Sequence, residues 1–185
     1  MVGVSIHPLS TTDRQRPALL PGLLLGVGLG GFLDGIVLHQ ILQWHHMLTS
    51  TRDQPADTVA GLEANTLADG LFHVLAWGFV VAGALLTVRE WRAGRRAPPW
   101  PAVLGLLLVG WGMFNLVEGA VNHHLLGIHH VRDDVADSTW WDFGFLGLGA
   151  ALVLVGGLLV GSALPARRPA IDSQGIRTSG IGETT

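Results

Sequence analysis

The chain contains no cysteine, which excludes both a disulfide framework and a thiolate metal site. It also contains no lysine: all eleven of its cationic side chains are arginine. Only 14% of its 185 residues are charged, whereas 49% are apolar and mean hydropathy is +0.43. So little charge leaves almost no polar face for the surface helices of a soluble bundle. Nucleotide chemistry is absent too. Gly26-x-Gly28-x-x-Gly31 matches a dinucleotide fingerprint literally, yet it lies inside an apolar helical stretch with no strand before it. No basic surface for nucleic acid is present.

What remains is an all-α membrane protein of one domain. Four apolar stretches, roughly 19 to 44, 66 to 88, 101 to 126 and 140 to 164, each approach the ~20 residues that a helix needs to cross a hydrocarbon core of ~30 Å. The first is too long for a signal peptide, holds Asp34 and His39, and lacks a small-residue cleavage site after it. The expected organisation is an N-terminal tail over residues 1–18, a four-helix transmembrane domain over 19–164, and a disordered C-terminal tail over 165–185. Nine of the eleven arginines lie in the tails and the middle connection, as Arg14, Arg16, Arg89, Arg92, Arg95, Arg96, Arg167, Arg168 and Arg177. Arg52 and Arg132 sit among acids in the other connections. By the positive-inside rule both termini are cytoplasmic, as in a multi-pass protein of a bacterial inner membrane. Trp44, Trp91, Trp100, Trp140 and Trp141 flank the stretches, as interfacial anchors do.

Against this oily background one polar pattern occurs twice. Asp34-Gly35-x3-His39-x5-His45-His46 recurs 84 positions later (118 − 34) as Glu118-Gly119-x3-His123-x5-His129-His130. The repeat predicts two tandem helical hairpins, about 19–88 and 101–164, related by a pseudo-two-fold axis along the membrane normal. Asp69, His73 and Asp142, near the starts of the second and fourth stretches, then fall in the same outer layer. At 100° per residue, His39 shares a helix face with His46, while Asp34 shares another with His45, and the second block repeats both relations. Which face is central stays open. Gly22, Gly26 and Gly30, Gly31 with Gly35, and Gly157 with Gly161 form four-spaced ridges suited to close helix contact.

Ionisable residues in a membrane segment are costly and mark function by default. Imidazoles with carboxylates suit zinc, iron or copper(II), whereas copper(I) sites recruit sulfur; only Met47 of three methionines lies near the histidines. The metal candidates are His39, His46, His73, His123 and His130, with Asp34, Asp69 and Glu118 as ligands or as orienters of the imidazoles. Haem b is a rival, with His39 and His123 as opposed axial ligands. A metal-free proton relay would use the same groups. The Glu-x-x-His spacing of di-iron bundles is missing. Tandem histidines at a helix end also occur simply in the headgroup layer, and a buried carboxylic acid can be a neutral hydrogen-bonding group. His7 reads as a solvated tail residue and His124 as pointing away from His123. The expected partners are the lipid bilayer and either further copies of the chain or a respiratory membrane complex.

The first block, Gly30-Gly31-Phe32-Leu33-Asp34-Gly35 through His39 to His45-His46-Met47, together with Asn115-Leu116-Val117-Glu118-Gly119, Asn122-His123-His124 and His129-His130, resembles a family of small bacterial membrane proteins catalogued as domain of unknown function 2243. The resemblance covers roughly residues 20 to 162. It implies a multi-pass membrane protein and transfers no catalytic residue.

Overall fold

The computed structural model describes residues 17–164, so expectations about the two tails lie outside it. Every regular element among the described residues is helical. Helix α1 (Leu20–Leu33) opens with Pro21 in its first turn, where the missing N–H is harmless. It continues without a break as a π-helical segment, π1 (Asp34–Ile41). After a connection follow α2 (Val59–Arg92), α3 (Trp100–Glu118) with its own π-helical continuation π2 (Gly119–Leu126), and α4 (Thr139–Ala163). Counting π1 with α1 and π2 with α3, all four are long and apolar enough to cross a membrane.

The second stretch starts earlier than residue 66 because its polar opening is part of the helix. Thr58 caps α2 by accepting the Gly61 N–H at 3.1 Å. Asn65 is fully buried: its Oδ1 accepts from the Leu48 N–H, and its amide donates to the carbonyls of Gln54 and Gly61. Those polar residues clamp the 42–58 connection. At ~1.5 Å per residue α2 is about 51 Å long, well beyond a hydrocarbon core of ~30 Å.

Helices α1 and α3 form the centre; α2 packs on α1, α4 packs on α3, and α2 and α4 do not touch. Glycine permits this. A Cβ on Gly26 would stand 2.9 Å from the Gly110 Cα, and one on Gly110 would stand 2.8 Å from the Gly26 Cα, so the two backbones lie against each other. Gly22 and Gly30 extend the same ridge onto Leu106 and Trp111, while Gly31 and Gly35 face α2. Gly157 and Gly161, expected to form another such ridge, have open space at their Cβ positions. On α4 the close approach to α3 is made by Gly149 and Gly156 instead, because a seven-residue spacing keeps both on the inner stripe.

The molecule is apolar outside and polar within. Leu20, Leu71, Trp77, Leu85, Leu104, Val117 and Leu158 are exposed, while the largest fully buried side chains are three imidazoles and two amides: His39, His45, His129, Asn65 and Asn115. This inverted distribution is what a bilayer selects, since lipid-facing residues lose nothing by staying apolar.

Candidate metal centre

The two π-helical segments build the core of the site. In an α-helix Asp34 and His39 would be about 140° apart (five steps of 100°) and unable to meet. Hydrogen bonding from i to i+5 instead stacks residues five apart. His39 Nε2 lies 3.2 Å from Asp34 Oδ2, and His123 Nε2 lies 3.2 Å from Glu118 Oε2. Each π-segment then unwinds. Gln43 (φ 52°) and Gly127 (φ 57°) both adopt the left-handed conformation and turn the chain inward. That turn carries His45 and His129 into the space between the helices.

Four imidazoles meet there. His45 Nε2 is 2.9 Å from His39 Nε2, and His129 Nε2 is 2.8 Å from Glu118 Oε1. The rings of His45 and His129 stack in parallel with centroids 4.7 Å apart. The donor atoms of His39, His45 and His129 lie within 4.8 Å of one another, as do those of Glu118, His123 and His129.

The opposite nitrogens are turned toward the protein. His39 Nδ1 donates to Asp69 Oδ1 at 2.9 Å, and His123 Nδ1 lies 3.3 Å from Asp142 Oδ1. His45 Nδ1 donates to the Val131 carbonyl at 2.9 Å, and His129 Nδ1 to the Met47 carbonyl at 3.1 Å. The last two bonds are reciprocal, because each loop's histidine is anchored on the other loop's backbone. Carbonyl acceptors place the protons of His45 and His129 on Nδ1 and leave Nε2 as a lone pair when the rings are neutral. Burial and the neighbouring His39 and His129 imidazoles push His45 well below the usual imidazole range, which keeps it neutral.

A further shell holds the orienting carboxylates. Asp69 accepts from His39, from His46 Nδ1 at 2.7 Å and from the Met47 N–H at 2.9 Å. Asp142 accepts from His130 Nδ1 at 2.7 Å and from the Val131 N–H at 2.9 Å. Phe72 stacks on His39, and Phe145 packs beside His123. Met47 thus serves the centre through its backbone.

This arrangement is short of positive charge. Asp34, Asp69, Glu118 and Asp142 are all buried, and no arginine among the described residues is. Asp34 Oδ2, Glu118 Oε2 and both ring nitrogens of His123 are buried without a hydrogen-bond partner, and two imidazole Nε2 atoms face each other at 2.9 Å. Buried carboxylates and opposed imidazole nitrogens are costly unless protons or a metal cation lie among them. An ion with bonds of about 2.0–2.2 Å separates neighbouring donor atoms by about 2.8–3.5 Å. The gaps of 2.9, 3.2, 3.2 and 2.8 Å lie in that range.

Of the residues singled out in the sequence, Asp34, His39, Glu118 and His123 come together at the centre, and Asp69 stands one step out. His46 and His130 are further out and partly exposed, each bonded to an orienting aspartate. His73 turns back to the carbonyl of Asp69 on its own helix and packs against Phe72, away from the ring of four. His124 is exposed and lies beside Phe143. The sequence-based choice of ligands omitted His45 and His129, though both share a helix face with the block's acid, and it omitted Asp142. A second register marks that aspartate: Asp69-x2-Phe72 and Asp142-x2-Phe145 are 73 positions apart (142 − 69), as are Gly83 and Gly156.

No curated protein and no solved structure matches this chain. Residues 21–163, which include all of the four helices but Leu20 and every group of the centre, match the family described as predicted membrane protein, domain of unknown function 2243, and the chain belongs to that family.

Proposed function

We propose that this membrane protein holds a resident transition-metal centre, ligated by the Nε2 atoms of His39, His45, His123 and His129 with Asp34 and Glu118, and used for redox or oxygen chemistry linked to respiration. The observation that carries this is the polarity of the four rings: every Nε2 faces the common centre while every Nδ1 faces a carboxylate or carbonyl. Such outer partners fix the tautomer and orientation of metal-bound histidine. Nitrogen and oxygen donors without sulfur favour iron, copper(II) or zinc. The rings of His45 and His129 fill the space between His39 and His123, which favours bare ions over a haem. Six buried, anchored donors favour a resident ion over one in transit.

In this proposal the hairpins are related by a pseudo-two-fold axis between α1 and α3. The reciprocal contacts of Gly26 with Gly110 and of the His45 and His129 loops support it. The centre lies at the end opposite Arg89, Arg92, Arg95 and Arg96. It therefore faces outward from a bacterial inner membrane, with both termini cytoplasmic.

The test is elemental analysis of detergent-purified protein with visible and electron paramagnetic resonance spectra before and after ascorbate. A stoichiometric metal whose spectrum changes on reduction supports the proposal. Stoichiometric zinc removes the redox part, and a folded protein without metal overturns the proposal.

A further inference from the structure

Beside the centre, a cavity of about 570 Å³ runs between α1, α3 and α4. Its walls are apolar and strongly aromatic: Trp44, Trp111, Trp140, Trp141 and Phe145 line it. Leu33, Leu148 and Trp140 at its edge are exposed on the surface assigned to lipid. At its inner end lie Asp34, whose Oδ2 faces His39 Nε2 at 3.2 Å, and Asn115, whose Oδ1 is buried and accepts no hydrogen bond. The other half of the molecule carries different side chains at the matching positions. The positions matching Trp111 and Asn115 are Val27 and Gly31 (84 lower), and those matching Trp140 and Gly144 are Leu67 and Leu71 (73 lower).

The geometry points to this cleft as a binding site for a membrane-soluble hydroquinone, its ring lying among the tryptophans and its hydroxyl donating to Asn115 Oδ1. The size suits such a molecule. Flat aromatic walls favour a flat ring. An unpaired buried amide oxygen calls for a donor, which a hydroquinone carries and a quinone lacks. The Arg132 guanidinium that lies over Trp44 and Trp141 is paired with Asp134, and at the inner end Asp34 repels anionic lipid headgroups. The inference deepens the metal-centre proposal, because Asp34 also lies 3.2 Å from His39 Nε2, but binding itself is read out with or without metal.

The test is anaerobic titration of the full-length protein in detergent with tetramethylhydroquinone, followed by quenching of tryptophan fluorescence. Its dimethyl ether, which has no O–H, is the control. Saturable quenching by the hydroquinone is expected, about tenfold weaker for the ether and in Asn115→Leu, as for loss of one hydrogen bond. Gly144→Leu places into the cleft the side chain found at the matching position; a Cβ there meets nothing within 4 Å, so the fold is spared and binding is lost. Equal binding of the ether, or unchanged binding in Gly144→Leu with wild-type helix content, overturns the inference. A metal-loaded protein that shows no saturable quenching refutes the hydroquinone site alone. A metal-free protein that binds as described refutes the metal centre alone.

Discussion

The two halves of this protein bring the same kinds of groups to the centre and differ in how those groups meet and in what surrounds them. Asp34 and Glu118 each reach a histidine five residues on; Asp69 and Asp142 each orient two histidines and a backbone N–H. The likeness ends at the second histidine of each block, since His45 Nε2 meets His39 while His129 Nε2 meets Glu118. Glu118 reaches both His123 and His129, whereas Asp34, one methylene shorter, reaches His39 alone and lies at the inner end of the aromatic cleft. Where one half turns on Gly127, the other turns on Gln43. What is shared is a set of groups that could hold a cation, and what differs is how these groups meet and what surrounds them.

The comparison can be broken most severely at the ring. Because His45 and His129 are each anchored on the opposite half, His45→Ala and His129→Ala should both empty the whole centre, read as loss of metal from the purified protein. Retention of half the metal in either variant would mean two independent sites. Next in size are the orienting acids: Asp69→Asn and Asp142→Asn should each weaken metal binding by about 10–100-fold, with equal effects in the two halves, measured by competition with a chelator. The crossing of α1 and α3 comes third. Gly26→Leu or Gly110→Leu forces a side chain into the facing backbone and should cost about 1–3 kcal/mol or more, seen as a lower unfolding temperature in detergent. Gly157→Leu and Gly161→Leu, which meet open space, should leave that temperature unchanged. The smallest effect sharpens the asymmetry. Gln43→Gly relieves a left-handed backbone and should stabilise by about 1 kcal/mol, while Gly127→Gln should destabilise by a similar amount.

The sequence makes the membrane helices legible because hydropathy depends only on composition, and the repeat legible because both blocks lack gaps. Angular reasoning fails where the helix changes its winding: 100° per residue assigns His39 and His46 to one face, but π1 and the turn at Gln43 set aside that count. The sequence places Asp142 in the outer layer with Asp69 but does not pair the two, and Gly156 goes unread, because the second and fourth helices align at 73 rather than 84 positions, the connections between them having different lengths. The polar start of α2 reads as a boundary, since loop clamping by Asn65 is a tertiary contact with no local signature. The cavity is equally invisible in the sequence, because it arises from what Gly144 and Asp34 fail to fill.

The most direct measurement is metal content per chain in His45→Ala set beside His46→Ala, both purified folded and without added metal. His45 is a fully buried neighbour of three other rings, and His46 is a partly exposed partner of Asp69. A four-histidine centre predicts that the first variant is empty and that the second keeps most of its metal. Full metal in His45→Ala, or equal loss in both variants, would contradict it.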